Sequence, residues 1–110
     1  MPLYMYQAAY ALESWAAQLK NPQNRVETVG RAAREAVGGK LVGGWYCFGE
    51  YDLVNIADVP NNQSMSAIAL AIAAGGALKA GKTTVLMTGS EGVEGMKQAD
   101  AVAKVYRPAR

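Results

Sequence analysis

The sequence predicts an α+β domain of the ferredoxin-like kind: a βαββαβ antiparallel sheet with helices on one face and an added C-terminal helix. Three observations lead there. Four stretches are strand-like, with alternating or β-branched residues, and helical repeats separate and follow them. Their order is strand, helix, strand, strand, helix, strand, helix. A chain of 110 residues leaves little room for a second domain, so residues 1–110 are read as one unit with a loose tail from about residue 105.

Each element has its own warrant. In LYMYQAAY, Tyr4, Tyr6 and Tyr10 stand at even steps, which suits a first strand over Leu3 to Tyr10. Leu12, Trp15 and Leu19 then fall at helical spacing until Asn21-Pro22 interrupts them, so a short helical turn is expected from Ala11 to Lys20. Asn24 lies three residues before Glu27 in the manner of a capping box, Val26, Val29, Ala33 and Val37 share one face, and Gly38-Gly39 is the stop. The first long helix is placed from about Arg25 to Val37.

LVGGWYCF and YDLVNIAD follow, divided by Gly49-Glu50. Glycine as the first of two connecting residues fits a type II′ hairpin, because it accepts the positive φ required there. Beyond Pro60-Asn61-Asn62, the spacing of Met65, Ile68, Ala69 and Ile72 places a second long helix from about Gln63 to Gly75-Gly76. KTTVLMT, Lys82 to Thr88, makes a fourth strand. Ser90 and Glu91 open a last helix carrying Val93, Met96 and Val102, weakened by Gly92 and Gly95 and ended before Pro108.

Composition excludes several chemistries. Cys47 is the only cysteine and there is no histidine, so an intrachain disulfide, a thiolate metal cluster and imidazole catalysis are all ruled out. The net charge of +2 is not gathered into a basic stripe, and no nucleic-acid partner is expected. The N-terminal stretch has neither a basic leader nor an uninterrupted apolar core, and the most apolar run, Met65 to Leu78, is shorter than a membrane span. A soluble cytoplasmic protein with no cofactor and no membrane partner is the expectation.

GGALKAGKTT, Gly75 to Thr84, matches the phosphate-binding loop letter for letter, through Gly76, Gly81, Lys82 and Thr83. Such a loop must leave a strand and enter a helix, so that its amides face the phosphates. Here a helix precedes it and a strand follows. The match is therefore read as a helix stop, a glycine turn and a solvated lysine, with Lys79 and Lys82 as a weaker anion contact.

In the third strand Tyr51, Leu53 and Ala57 share one side while Val54 and Ile56 share the other. Both faces of the sheet are then apolar, and self-association through the open face follows.

The string WYCF, Gly49-Glu50-Tyr51-Asp52, LVNIADVP, with the alanine-rich helix after Pro60 and the TTVLMT strand, resembles the GYD-domain family. The resemblance runs from the first strand to about Thr88, and its specific part is Trp45 to Pro60. It implies the ferredoxin-like, dimeric α/β-barrel type of fold and no particular chemistry. The family's glycine, tyrosine and aspartate fall on Gly49, Tyr51 and Asp52.

Two roles stand open for these residues. Structurally, Gly49 shapes the turn, Tyr51 packs across the hairpin or an interface, and Asp52 accepts backbone amides. Functionally, Tyr51 donates at the mouth of a pocket and Asp52 acts as acid, base or partner for an arginine. Gln7 and Asn55, amides in apolar strands, either pair with each other or present themselves to a ligand. Trp15, Trp45, Tyr4, Tyr6 and Tyr46 are read as core and interface aromatics that would line any pocket, and Cys47 as an inert buried thiol.

The leading expectation is a non-catalytic homo-oligomer that binds a small organic molecule or serves in assembly, with Gly49, Tyr51, Asp52, Asn55, Gln7 and Trp45 as the candidate ligand-binding residues. One alternative is a cofactor-free oxygenase or isomerase with Asp52 as base and Tyr51 or Asn55 holding an oxyanion. Another is a ferredoxin-like oligomer that senses a nucleotide or anion through Lys79 or Lys82.

Overall fold

The computed structural model describes residues 2–109. Its elements are β1 (Leu3–Tyr10), α1 (Leu12–Lys20), α2 (Arg25–Glu35), β2 (Lys40–Tyr46), β3 (Leu53–Asp58), α3 (Asn62–Ala74), β4 (Leu78–Leu86) and α4 (Gly89–Val105). The strands form one antiparallel sheet in the order β2-β3-β1-β4. This is the ferredoxin-like α+β fold, with α4 added at the C-terminal end.

Register decides what the sheet buries. Tyr6 stands opposite Asn55 on one side and Thr83 on the other, so Tyr4, Tyr6 and Ala8 share a face with Leu53, Asn55 and Ala57. Those apolar residues join Val26 of α2 and Met65 and Ile68 of α3 in a single core. Both helices therefore lie on that face. Each fully buried aliphatic side chain stabilises the layer by roughly 1.5–3 kcal/mol, and the Tyr4 hydroxyl, donating to Asn62 Oδ1, ties the centre of the sheet to the start of α3.

Helix ends follow their caps. Asn24 and Asn61 accept the amides of Glu27 and Ser64 through their side chains, as residues in the cap position do. Thr88 and Glu91 form a reciprocal capping box, so α4 opens on Thr88 rather than on Ser90.

The short helical segment expected after β1 is the nine-residue α1, which buries none of its residues. Two further expectations are corrected. Strand β4 begins at Leu78, four residues before Lys82, because the ladder to β1 extends to Tyr10 and overrides the low strand preference of alanine, lysine and glycine. The connection from β2 to β3 is no two-residue II′ turn: Cys47 N–H donates to Asp52 O at 2.8 Å, which leaves Phe48, Gly49, Glu50 and Tyr51 in the loop. Gly49 adopts φ +136° there, a conformation that favours glycine.

The opposite face of the sheet carries Met5, Val54 and Ile56, half-buried, with Leu3 and Trp45 more open. No helix side chain is buried against it from α4, which buries none of its 17 residues. Val93, Met96, Val102 and Val105 of α4 are exposed. The chain has a radius of gyration of 17.3 Å and a long axis of 58 Å, against about 13 Å expected for a compact chain near this length. Helix α4 thus projects from the body. Among the described residues, no helix is long and apolar enough to cross a membrane.

Candidate functional site

Between the sheet and helices α2 and α3 lies a cavity of 520 Å³. Its origin is the choice of small residues on both helices. Gly30 and Ala33 of α2, with Ala67 and Ala71 of α3, line it where longer side chains would interdigitate and close the gap. Val26, Ile68 and Ile72 make further apolar wall, and Tyr6, Ala8, Leu53 and Asn55 form the floor on the sheet.

One end of this apolar space is cationic. Arg34 is 1% exposed, the largest fully buried side chain among the described residues. Its Nη2 donates to Asn55 Oδ1 at 2.7 Å and its Nη1 to the Gly30 carbonyl at 3.3 Å, while Nε has no partner among the described residues. Asn55 is itself 4% exposed. Both acceptors are neutral, and among the described residues no carboxylate pairs with the guanidinium. Burial accordingly pushes the Arg34 pKa below its ordinary value, with the phenol of Tyr6 pulling the other way.

Two tyrosines complete the polar set. Burial raises the pKa of Tyr6 above its usual value of 10.0, and the charge on Arg34 opposes that rise. Tyr10 is raised as well, first by burial and then by Tyr46 and Asp52, against the pull of Arg25. At neutral pH both phenols are protonated donors. The Tyr6 ring is also fixed from below: a Cβ on Gly81 would lie 2.7 Å from its hydroxyl, so a strand residue without a side chain is what admits the ring.

The residues singled out in the sequence are dispersed. Asn55 lines the cavity, bonded to Arg34. Gln7 stands opposite Val54 and Lys82, on the other face of the sheet, so the expected Gln7–Asn55 bridge does not form. An odd number of residues separates neighbouring registers, and pleating sends the two amides to opposite sides. Trp45 is 55% exposed on that same outer face. Gly49, Tyr51 and Asp52 lie in and after the loop, outside the cavity lining.

Asp52 has a different task. Its Oδ2 accepts the Tyr10 backbone N–H at 2.8 Å and the Trp15 indole N–H at 3.2 Å, and its own N–H donates to the Ala8 carbonyl. Tyr10 and Trp15 meet edge to face with centroids 5.2 Å apart. Asp52 thereby clamps the end of β1, the hairpin loop and α1 together. Cys47 is half-buried and its Sγ donates to the Tyr51 carbonyl at 3.2 Å.

The residues of the phosphate-loop match run from the end of α3 into β4, with Gly81 and Lys82 inside the strand. Lys79 borders a smaller cavity of 290 Å³ beside Tyr6 and Gly81. Among the described residues, no group of three or more Cys, Asp or Glu side chains is placed to hold a metal ion.

Sequence reasoning missed Arg34. It lies in RAARE, where a charged residue reads as solvated, yet its position four residues after Gly30 and one after Ala33 sets it at the margin of the apolar face.

A small ferredoxin-like protein with a largely apolar cavity closed at one end by a buried arginine and an asparagine is the class defined by these features. The model of the GYD domain matches residues 4–101, and the chain belongs to the GYD-domain family. No curated protein and no solved structure matches it.

Proposed function

We propose that this protein is a non-catalytic, homo-oligomeric module that binds a small organic molecule between its sheet and helices. The observation that supports the binding role is the 520 Å³ cavity, a volume within the roughly 300–1,000 Å³ typical of small-molecule sites, with mostly apolar walls and a few polar groups. A non-catalytic role agrees with the groups on hand. Lining residues include tyrosines, an asparagine, a serine and arginines but no carboxylate, cysteine or lysine, so no ready general base or nucleophile faces the space. Asp52, the base of the alternative reading, has its Oδ2 engaged by two N–H donors away from the cavity.

The oligomer is a pairing of identical chains. Each copy bears both an uncovered apolar sheet face and an uncovered apolar helix, so a second copy covers what the first leaves open. Native mass spectrometry of the purified protein tests both halves of the proposal. The expected result is a multimer carrying a small mass that Ala71→Trp, which fills the cavity, removes. A monomer would end the pairing argument, and a bound mass indifferent to Ala71→Trp would end the cavity argument.

A further inference from the structure

Resting on that cavity reading, the geometry points to a monocarboxylate as the ligand: an organic acid whose apolar body lies between α2 and α3 and whose carboxylate is received by Arg34. The first ground is charge. A guanidinium stripped of water is stabilised only by a counter-charge or by saturated hydrogen bonding. Arg34 has two neutral acceptors, a free Nε–H and no carboxylate partner among the described residues. The chain has left one positive charge in its interior for something else to neutralise.

The second ground is the direction of the hydrogen bonds. Asn55 turns its oxygen to Arg34, so the rest of its amide is a donor. The Tyr6 hydroxyl leans over Gly81 of β4, across β1 from Asn55, and stands apart from this pair. Guanidinium and amide together make a set of donors. An ionised carboxylate is an acceptor only, and its planar pair of oxygens matches the fork of an arginine.

The third ground separates a carboxylate from a phosphate. The only other basic residue in the lining, Arg25, stands at the exposed start of α2, apart from the buried end. One buried cation suits one negative charge, and the walls of Val26, Ile68 and Ile72 suit a hydrocarbon body.

Calorimetric titration of the full chain with 4-phenylbutyrate and octanoate, each against its neutral amide, decides the matter. The acids are expected to bind at least about tenfold more tightly than the amides, in keeping with charge-assisted bonding. Arg34→Met should abolish that preference. Asn55→Asp, nearly isosteric, places a resident carboxylate on the guanidinium and should weaken the acids by about tenfold or more while leaving the amides unchanged; it serves independently should the arginine variant fail to fold. Equal affinity of acids and amides would overturn the carboxylate and leave the cavity standing. Acid binding untouched by Asn55→Asp would remove Arg34 from the site. Failure of all four compounds to bind would overturn the cavity reading and this inference with it.

Discussion

Arg34 Nη2 lies 2.7 Å from Asn55 Oδ1, and this bond joins helix α2 to the interior strand β3 inside an otherwise apolar layer. Both residues are buried, so each is the other's substitute for water. Asn55→Leu is expected to cost about 1.5–3 kcal/mol, the range for a lost hydrogen bond to a charged group. Adding Arg34→Met should restore much of that loss, since the unpaired buried charge goes with it. Urea denaturation of the two single variants and the double variant measures the coupling. Strict additivity would mean that the two side chains do not depend on each other.

Asp52 is expected to behave as a structural clamp. Asp52→Ala removes the acceptor of the Tyr10 amide and the Trp15 indole, and should lower stability by about 1–3 kcal/mol. Trp15 fluorescence should shift to the red as α1 loosens. Binding of a cavity ligand should change by less than about twofold, because Asp52 does not line the space. A large loss of binding with unchanged stability would return Asp52 to the site.

Alkaline pH should destabilise the fold through its buried phenols. The pKa values of Tyr6 and Tyr10 are raised above 10.0 in the folded chain, so above that pH the unfolded chain gives up protons that the folded chain retains. Unfolding is favoured as pH rises, and the contribution is intact below the ordinary tyrosine value. Denaturation midpoints between pH 8 and pH 11 would show this, and Tyr6→Phe should flatten the decline. The same slope in Tyr6→Phe and Tyr10→Phe would assign the effect elsewhere.

Self-association should depend on the outer sheet face. Ile56→Asp sets a charge at the middle of that face, on the side away from the helices, and is expected to shift the protein toward monomer in light scattering while its far-ultraviolet dichroism stays native. An unchanged mass would place the contact on another surface.

The sheet was legible because a period of two, as in LYMYQAAY, states which side chains share a face; the register was not, since Gln7 was weighed as the partner of Asn55 and Tyr6 stands there instead. Loop geometry was less legible. Counting Gly49-Glu50 as the whole connection assumed that strand character and strand pairing end together, whereas β2 stops at Tyr46 and β3 starts at Leu53. The candidate site was half visible. Asn55 stood out as an amide among apolar neighbours, but its partner comes from a helix 21 residues earlier, and only tertiary packing brings the two together.

Helix α4 has a consequence for how the molecule melts. It is secured by the Thr88–Glu91 capping box and by two solvent-exposed pairs, Lys97–Glu94 and Lys104–Asp100, each worth a few tenths of a kcal/mol. With Gly92 and Gly95 in its first half and no side chain buried, a 17-residue segment of this kind is marginal as a free helix. The arm and the sheet are then separate cooperative units. In a dilute chain the amides of α4 exchange with solvent on their own schedule, long before those of β1 and β3. Under the proposed pairing of copies, the arm is expected to gain protection as the protein is concentrated, and the ellipticity of the solution would then serve as a binding isotherm for that assembly.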